Sequence, residues 1–198
     1  MKRGNIEMKS FFGLMVLTFG ILFAVVAASA QEMGMKSDGN PMVGGAAMYK
    51  KKNIVENAVN SKDHTTLVAA VKAAGLVDTL MSEGPFTVFA PVNNAFDALP
   101  AGTVDTLLKP ENKATLTKVL TYHVVAGNMD SKAIAKAIKA GNGKAELTTV
   151  AGGKLWGWMD GKTLVLKDEK GGKSRVTIAD VRQSNGVIHV VDTVLMPN

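Results

Sequence analysis

The chain reads as an α+β protein, mainly helical in its N-terminal half and all strand in its C-terminal third. Three observations predict this. Apolar residues recur at helical spacing in several segments between positions 54 and 140. From about position 155 onward they alternate with a period of two, broken by Asp-Gly and Asn-Gly turns. Helices therefore precede strands instead of alternating with them, which argues against a parallel α/β sheet. No internal repeat is visible.

The elements follow in order. Residues 1–30 have the layout of an export signal: Lys2, Arg3 and Lys9 form a positive start, with Glu7 the acidic exception. An apolar stretch runs from Phe11 to about Val26, and Ala28-Ser29-Ala30 reads as a cleavage site. Residues 11–30 would also be long enough for an uncleaved anchor. The small-residue end and the polar Gln31-Glu32 favour cleavage, with no stable membrane insertion afterwards. The protein is thus expected to be exported, to the periplasm or outside the cell.

Residues 31–52 hold four glycines and four methionines without apolar periodicity, and end in Lys50-Lys51-Lys52. They are expected to form a flexible leader whose end, residues 42–49, packs onto a domain spanning residues 53–198. Met33, Met35, Met42 and Met48 carry an alternative reading, a Cu(I) site built from soft thioethers. Their irregular spacing and the lack of any accompanying His or Cys argue against it.

Ile54, Val55, Ala58 and Val59 share one face of a short helix. Leu67, Val71 and Ala74 mark a second, with Asp63 placed to cap it and Gly75 to end it. Leu76, Val77 and Leu80 add a turn before Gly84-Pro85. Residues 86–90 are β-branched and aromatic, a strand stopped by Pro91. Asn93 or Asn94 is placed to cap a short helix carrying Ala95, Phe96 and Leu99. Pro110 opens a helix with Leu116, Val119, Leu120 and His123 near one stripe. Ser131–Ala140 forms another, with Ile134 and Ile138 inward, Asp130 or Ser131 as cap and Gly141 as terminator. In the C-terminal third, residues 155–159, 163–167, 175–180 and 187–191 are strands, and a last one is expected near residues 193–196.

Composition narrows the function. The formal net charge is +6, with basic residues scattered among acids and no basic stripe interleaved with aromatics, so nucleic acid is not an expected partner. There is no cysteine, hence neither a disulfide framework nor a thiol nucleophile. No G-x-S-x-G or Walker A motif occurs, and His64, His123 and His189 are scattered singly. The chain is read as not an enzyme and without a cofactor. A hydrolase of cell-wall or matrix glycans would need two of Asp160, Asp168, Glu169, Asp180 and Asp192 paired across a cleft.

Three features remain: FTVFAPVNNAFDALP at residues 86–100, the pair Tyr122-His123, and NGVIHVVDTVLMP at residues 185–197. In this order and at these distances they resemble the fasciclin-type (FAS1) domain, over about residues 53–198. The resemblance implies a β-rich wedge of about seven strands flanked by small helices. It also implies an extracellular adhesion module whose partner is a cell-surface or matrix protein or a polysaccharide. In that family the Tyr-His motif is associated with adhesion, including integrin recognition by some animal members. Val92 stands where the family usually has Thr, so a hydroxyl is missing.

Two candidate sites follow. Tyr122 and His123 fit the adhesion motif. Their own chemistry points to structure, since buried polar rings at the end of an apolar stripe need fixed hydrogen-bond partners. Trp156 and Trp158 share one strand face, either as a contact pair for a sugar or protein or as cover for one end of the core beneath the helices. Lys154 and Lys162 lie nearby.

Overall fold

The computed structural model describes residues 39–198. The export signal, Met33 and Met35 lie outside the described residues. A short hairpin, β1 (Met42–Val43) and β2 (Ala46–Ala47), comes first. Helices α1 (Ile54–Ala58), α2 (Thr65–Ala74) and α3 (Val77–Met81) lead to β3 (Phe86–Pro91). Then come α4 (Asn93–Asp97), α5 (Thr103–Leu107), α6 (Lys113–Tyr122), β4 (Val124–Ala126) and α7 (Ser131–Ala140). The strands β5 (Ala145–Thr148), β6 (Lys154–Asp160), β7 (Thr163–Lys167), β8 (Lys173–Gln183) and β9 (Gly186–Val191) complete the order.

Seven strands form one sheet in the order β4-β3-β9-β8-β7-β6-β5. Only the β3–β9 pair is parallel, with Phe86 opposite Gly186 and Pro91 opposite Val191. A lone antiparallel bridge between Val125 and Thr149 brings the two edges together, so the sheet nearly closes. The α+β class and the strand number agree with the expectation.

β3 and β9 are buried on both faces, which is why their sequences are continuous apolar runs rather than alternating ones. Val88, Ala90, Ile188 and Val190 face a core made with Ile54, Leu67, Val71 and Leu80 of the N-terminal helices. Phe89 and Val191 face a second core with Leu155, Leu166 and Leu195, covered by Ile134 and Ile138 of α7.

Val43 and Met48 are buried in the first core, and Gly44 sits so close to Ser61 that a Cβ there would lie 2.2 Å from its Oγ. Several local expectations are corrected. Asp63 does not cap α2. That role falls to Asn93, whose Oδ1 accepts from Thr66 N at 3.0 Å while its Nδ2 donates to the Lys62 carbonyl. Its own helix α4 starts at Val92 with no side-chain cap, so the missing hydroxyl has no substitute there. Pro110 opens a separate 3₁₀ turn, Pro110–Asn112, ahead of α6. By contrast α7 has the expected bounds, with Asp130 Oδ1 accepting from Ala133 N at 2.9 Å.

Both hairpin turns are shifted by one residue. Asp160 pairs with Thr163, so Gly161-Lys162 is the turn, and only Gly161 has a positive φ, +62°. That placement suits a II′ turn, not I′. Gln183 pairs with Gly186, so Ser184-Asn185 is the other turn. Asn185 is a staple instead of a turn former. Its Oδ1 accepts from Ile54 N at 3.0 Å, and its Nδ2 donates to the Leu80 and Ser82 carbonyls at 2.8 Å each. Gly186 follows because the parallel partner is so near: a Cβ would stand 2.0 Å from the Phe86 carbonyl oxygen.

The strand expected at residues 193–196 is absent. Val194 and Leu195 are buried as their alternation suggests, but the tail's amides are taken by side chains. Ser174 Oγ accepts from Thr193 N, His123 Nε2 from Leu195 N, Asp168 Oδ2 from Met196 N and Glu169 Oε2 from Asn198 N. With those donors satisfied, no ladder forms.

Asn185→Ala removes three hydrogen bonds, two of them buried, so it should destabilise the fold by about 3 kcal/mol. Urea denaturation checks this; a loss below about 1 kcal/mol would show that the staple is not needed.

Candidate functional site

Helix α6 ends by placing Tyr122 and His123 inside the fold. Tyr122 is 0% exposed; its hydroxyl donates to the Lys154 carbonyl at 2.7 Å and accepts from Glu169 N at 3.1 Å. Burial pushes its pKa up to about 12, further helped by Glu169 and Asp168 and opposed by the Glu169 amide bond. Gly153 packs on the ring, where a Cβ would come within 2.7 Å of Cε2. His123 donates through Nδ1 to the Val119 carbonyl at 2.8 Å and accepts at Nε2 from Leu195 N at 2.9 Å. This pattern requires the neutral ring. Burial lowers its pKa to about 4, against the raising effects of the Val119 bond and Asp168. Neither side chain reaches the surface. The pair clamps α6, β6 and the C-terminal tail together.

His189 is likewise interior. Its Nε2 donates to the Met129 carbonyl at 2.9 Å, and its ring stacks on Phe89 with centroids 5.6 Å apart. Ser131, Asp180 and His189 lie close, yet they form no catalytic relay. The Ser131 hydroxyl and amide both bond the Asp180 carboxylate, while His189 Nδ1 accepts from the Asp180 backbone amide. Asp180 itself has a positive φ of +60°. The other acids are equally occupied. Asp168 accepts from Gly172 and Met196 amides, Glu169 from Lys154 and Asn198 amides, Asp192 from Arg175 N, and Asp160 pairs with Arg175 at 2.7 Å.

Trp156 and Trp158 occupy the opposite situation. The register puts Glu146, Trp156, Trp158, Asp160, Val165, Lys167, Lys173 and Arg175 on one face of β5–β8. Helix α7 covers the other face, over Leu147 and Leu155. The tryptophans therefore do not lie beneath the helices; they are half-buried on the outward side of the sheet. Lys144 Nζ stands 5.2 Å from the Trp156 ring centroid and Lys173 Nζ 5.8 Å from that of Trp158. Trp156 Nε1 donates to Glu146 Oε2 at 3.2 Å, and Glu146 pairs with Lys154 at 2.7 Å. That lysine, then the indole, holds the Glu146 carboxyl below its ordinary pKa. Sequence reasoning named Lys154 and Lys162. Lys154 is engaged by Glu146, and Lys162 sits in the β6–β7 turn. The ring-facing cations are Lys144 and Lys173, legible only once the register sets Lys167 beside Trp156 and Lys173 beside Lys167.

Of the four leader methionines, Met42 and Met48 lie among the described residues. Met42 is 43% exposed on the hairpin while Met48 is 2% exposed in the core. Among the described residues no cluster of His, Asp or Glu is arranged to hold a metal ion.

Comparison with known proteins now decides the family. A profile of the fasciclin domain matches residues 62–197. The chain belongs to the fasciclin domain family. Protein sll1483 of Synechocystis is 46% identical over 181 residues, covering 90% of this chain and 91% of that one. The immunogenic protein MPT70 of Mycobacterium tuberculosis is 37% identical over 145 residues, 71% of this chain and 66% of its own. The transforming growth factor-beta-induced protein ig-h3 of Sus scrofa is also 37% identical, but this chain spans only 17% of its length. A FAS1 domain pair from the insect cell adhesion molecule fasciclin I shares the fold, with a TM-score of 0.53 at 22% identity over 66% of this chain and 43% of the pair. Fasciclin domains are often involved in cell adhesion. Within this fasciclin domain, Tyr122 and His123 are internal clamps and the tryptophan face is the exposed candidate.

Two outcomes are expected of the clamp. Tyr122→Phe should cost about 1–3 kcal/mol, because the Lys154 carbonyl and the Glu169 amide both lose a buried partner. In the unfolded chain a histidine takes its proton near pH 6.5, whereas folded His123 resists it down to about 4. Stability contributed by the neutral ring is therefore whole above about pH 6.5 and lost as pH falls toward 4, by about 3 kcal/mol in the limit. His64 and His189, also lowered mainly by burial, act in the same direction. Denaturation curves at pH 7 and pH 4.5 test this; equal stabilities would refute the neutral-ring clamp.

Proposed function

We propose that this fasciclin domain is an exported adhesion module that binds an acidic polysaccharide through its outward tryptophan face. The observation that supports the reading most is the coincidence of two half-buried indoles with two ammonium groups directly over them. Trp156 and Trp158, two residues apart on β6, are roughly 7 Å apart along the strand. They offer flat apolar surface to the C–H faces of sugar rings. Lys144, Lys154, Lys167, Lys173 and Arg175 surround them against Glu146, Asp160 and, beside Lys154, Glu169, so the face is net positive. A sugar ring carrying a carboxylate or sulfate would meet both an aromatic plane and a cation in one place. The family's association with adhesion agrees with this, and among the described residues no helix is long and apolar enough to cross a membrane.

Retention on beads bearing acidic glycans, neutral glycans or matrix proteins tests the reading. Saturable retention on the acidic glycan should survive high salt in part, because stacking is not screened. Trp156→Ala with Trp158→Ala should reduce retention at least tenfold with little change in melting temperature. Retention that vanishes completely with salt, or is unchanged in the double variant, would overturn the assignment.

A further inference from the structure

Helix α7 turns two different sides to its surroundings. At about 100° per residue, Ile134 and Ile138 fall together on one side, and both are buried in the second core. Lys132, Lys136 and Lys139 lie within about 60° of one another on the opposite side, and all three are exposed. They form a row about 10 Å long. The other exposed residues of the helix are Ala135 and Ala140, so no bulky side chain of α7 screens the ammonium groups.

Helix stability does not account for this row. The stretch from Ser131 to Ala145 holds four lysines and no acid. Among the described residues none of the four is in an ion pair, and the flanking acids Asp130 and Glu146 are engaged by Arg182 and Lys154. Like charges three and four residues apart on a helix repel each other. Lys132 also stands in the first turn, where the helix dipole disfavours a cation; only Lys139, in the last turn, suits it. The fourth lysine leads from the row to the outer side of the sheet. Lys144 lies four residues beyond the end of α7, is exposed, and holds its Nζ 5.2 Å from the Trp156 ring centroid.

We infer that a single acidic polysaccharide chain uses both surfaces, with sugars stacked on Trp156 and Trp158 and acidic groups further along it on Lys144 and then on the α7 row. The inference rests on the acidic-polysaccharide reading of the tryptophan face and extends that face into a track that favours long chains over short ones. Neighbouring lysines of the row are about 5–6 Å apart at Cβ, a spacing that suits a chain with an acid on each sugar ring.

The test compares binding of a galacturonate trimer and of a long polygalacturonate chain to the full protein. Long chains should bind more tightly than the trimer. The triple variant Lys132→Gln, Lys136→Gln and Lys139→Gln keeps helix propensity, and circular dichroism reports that it is folded. It should weaken the long chain about tenfold, the combined effect of three exposed ion pairs, and leave the trimer unchanged. Its dependence on salt should also be shallower, because fewer counterions are released. A control triple with the same change in net charge, Lys50→Gln, Lys51→Gln and Lys52→Gln, should leave both ligands unaffected. In the unaltered protein, amide shifts in residues 132–140 should respond to the long chain and not to the trimer. If the long chain binds through the tryptophans but is indifferent to the α7 triple, or is weakened equally by the control triple, the track is overturned and the tryptophan face stands. If neither ligand binds, or binding ignores Trp156→Ala with Trp158→Ala, the reading beneath it fails as well.

Discussion

Everything in this fold depends on the parallel pairing of β3 with β9. The two strands are separated by about a hundred residues of chain, yet Phe86 and Gly186 lie opposite each other with no room for a side chain between them. Once paired, each strand presents one set of apolar residues to the helical core and the other to the sheet interior. The two cores are thus back to back across a shared wall. Asn185 fixes one end of that wall by holding Ile54, Leu80 and Ser82 at the head of β9.

The polar interior complements this arrangement. The nearly closed sheet leaves the C-terminal tail without a strand to pair with, so its amides are satisfied one by one by Ser174, His123, Asp168 and Glu169. The Tyr122 hydroxyl accepts a hydrogen bond from the Glu169 amide and donates one to the Lys154 carbonyl. The residues that looked most chemical in the sequence, the histidines and carboxylates, are largely consumed in this task. What is left over for recognition is surface aromatic and cationic area.

The strongly periodic elements were legible in the sequence. The helix Ser131–Ala140 and the strands around Trp156, Leu164 and Val187 follow from spacing and residue type alone, whereas the fasciclin motifs are legible only through their resemblance to a known family. The larger misreadings share a physical cause: each concerns a residue whose partner is remote in sequence. Asn93 was assigned to its own helix because nothing local reveals that it caps α2. Asn185-Gly186 reads as a local turn, yet the Asn185 side chain bonds Ile54, Leu80 and Ser82, and Gly186 answers to Phe86. The alternation at residues 193–196 looked like a strand because apolar burial and ladder pairing give the same pattern. At the candidate face, the tryptophans were visible early, while the lysines over them required the register of three strands.

The place of β9 also shapes how the molecule comes into being. Its pairing partners β3 and β8 are both made before it, and β3 must wait through most of the domain for a neighbour on that side. A chain growing from its N-terminus cannot complete either core until residues 186–191 exist, since β9 contributes to both. Its sheet closes late, through contacts distant in sequence, and such closure is slow. A polypeptide that stays open until its final strand arrives remains threadable for as long as it is incomplete.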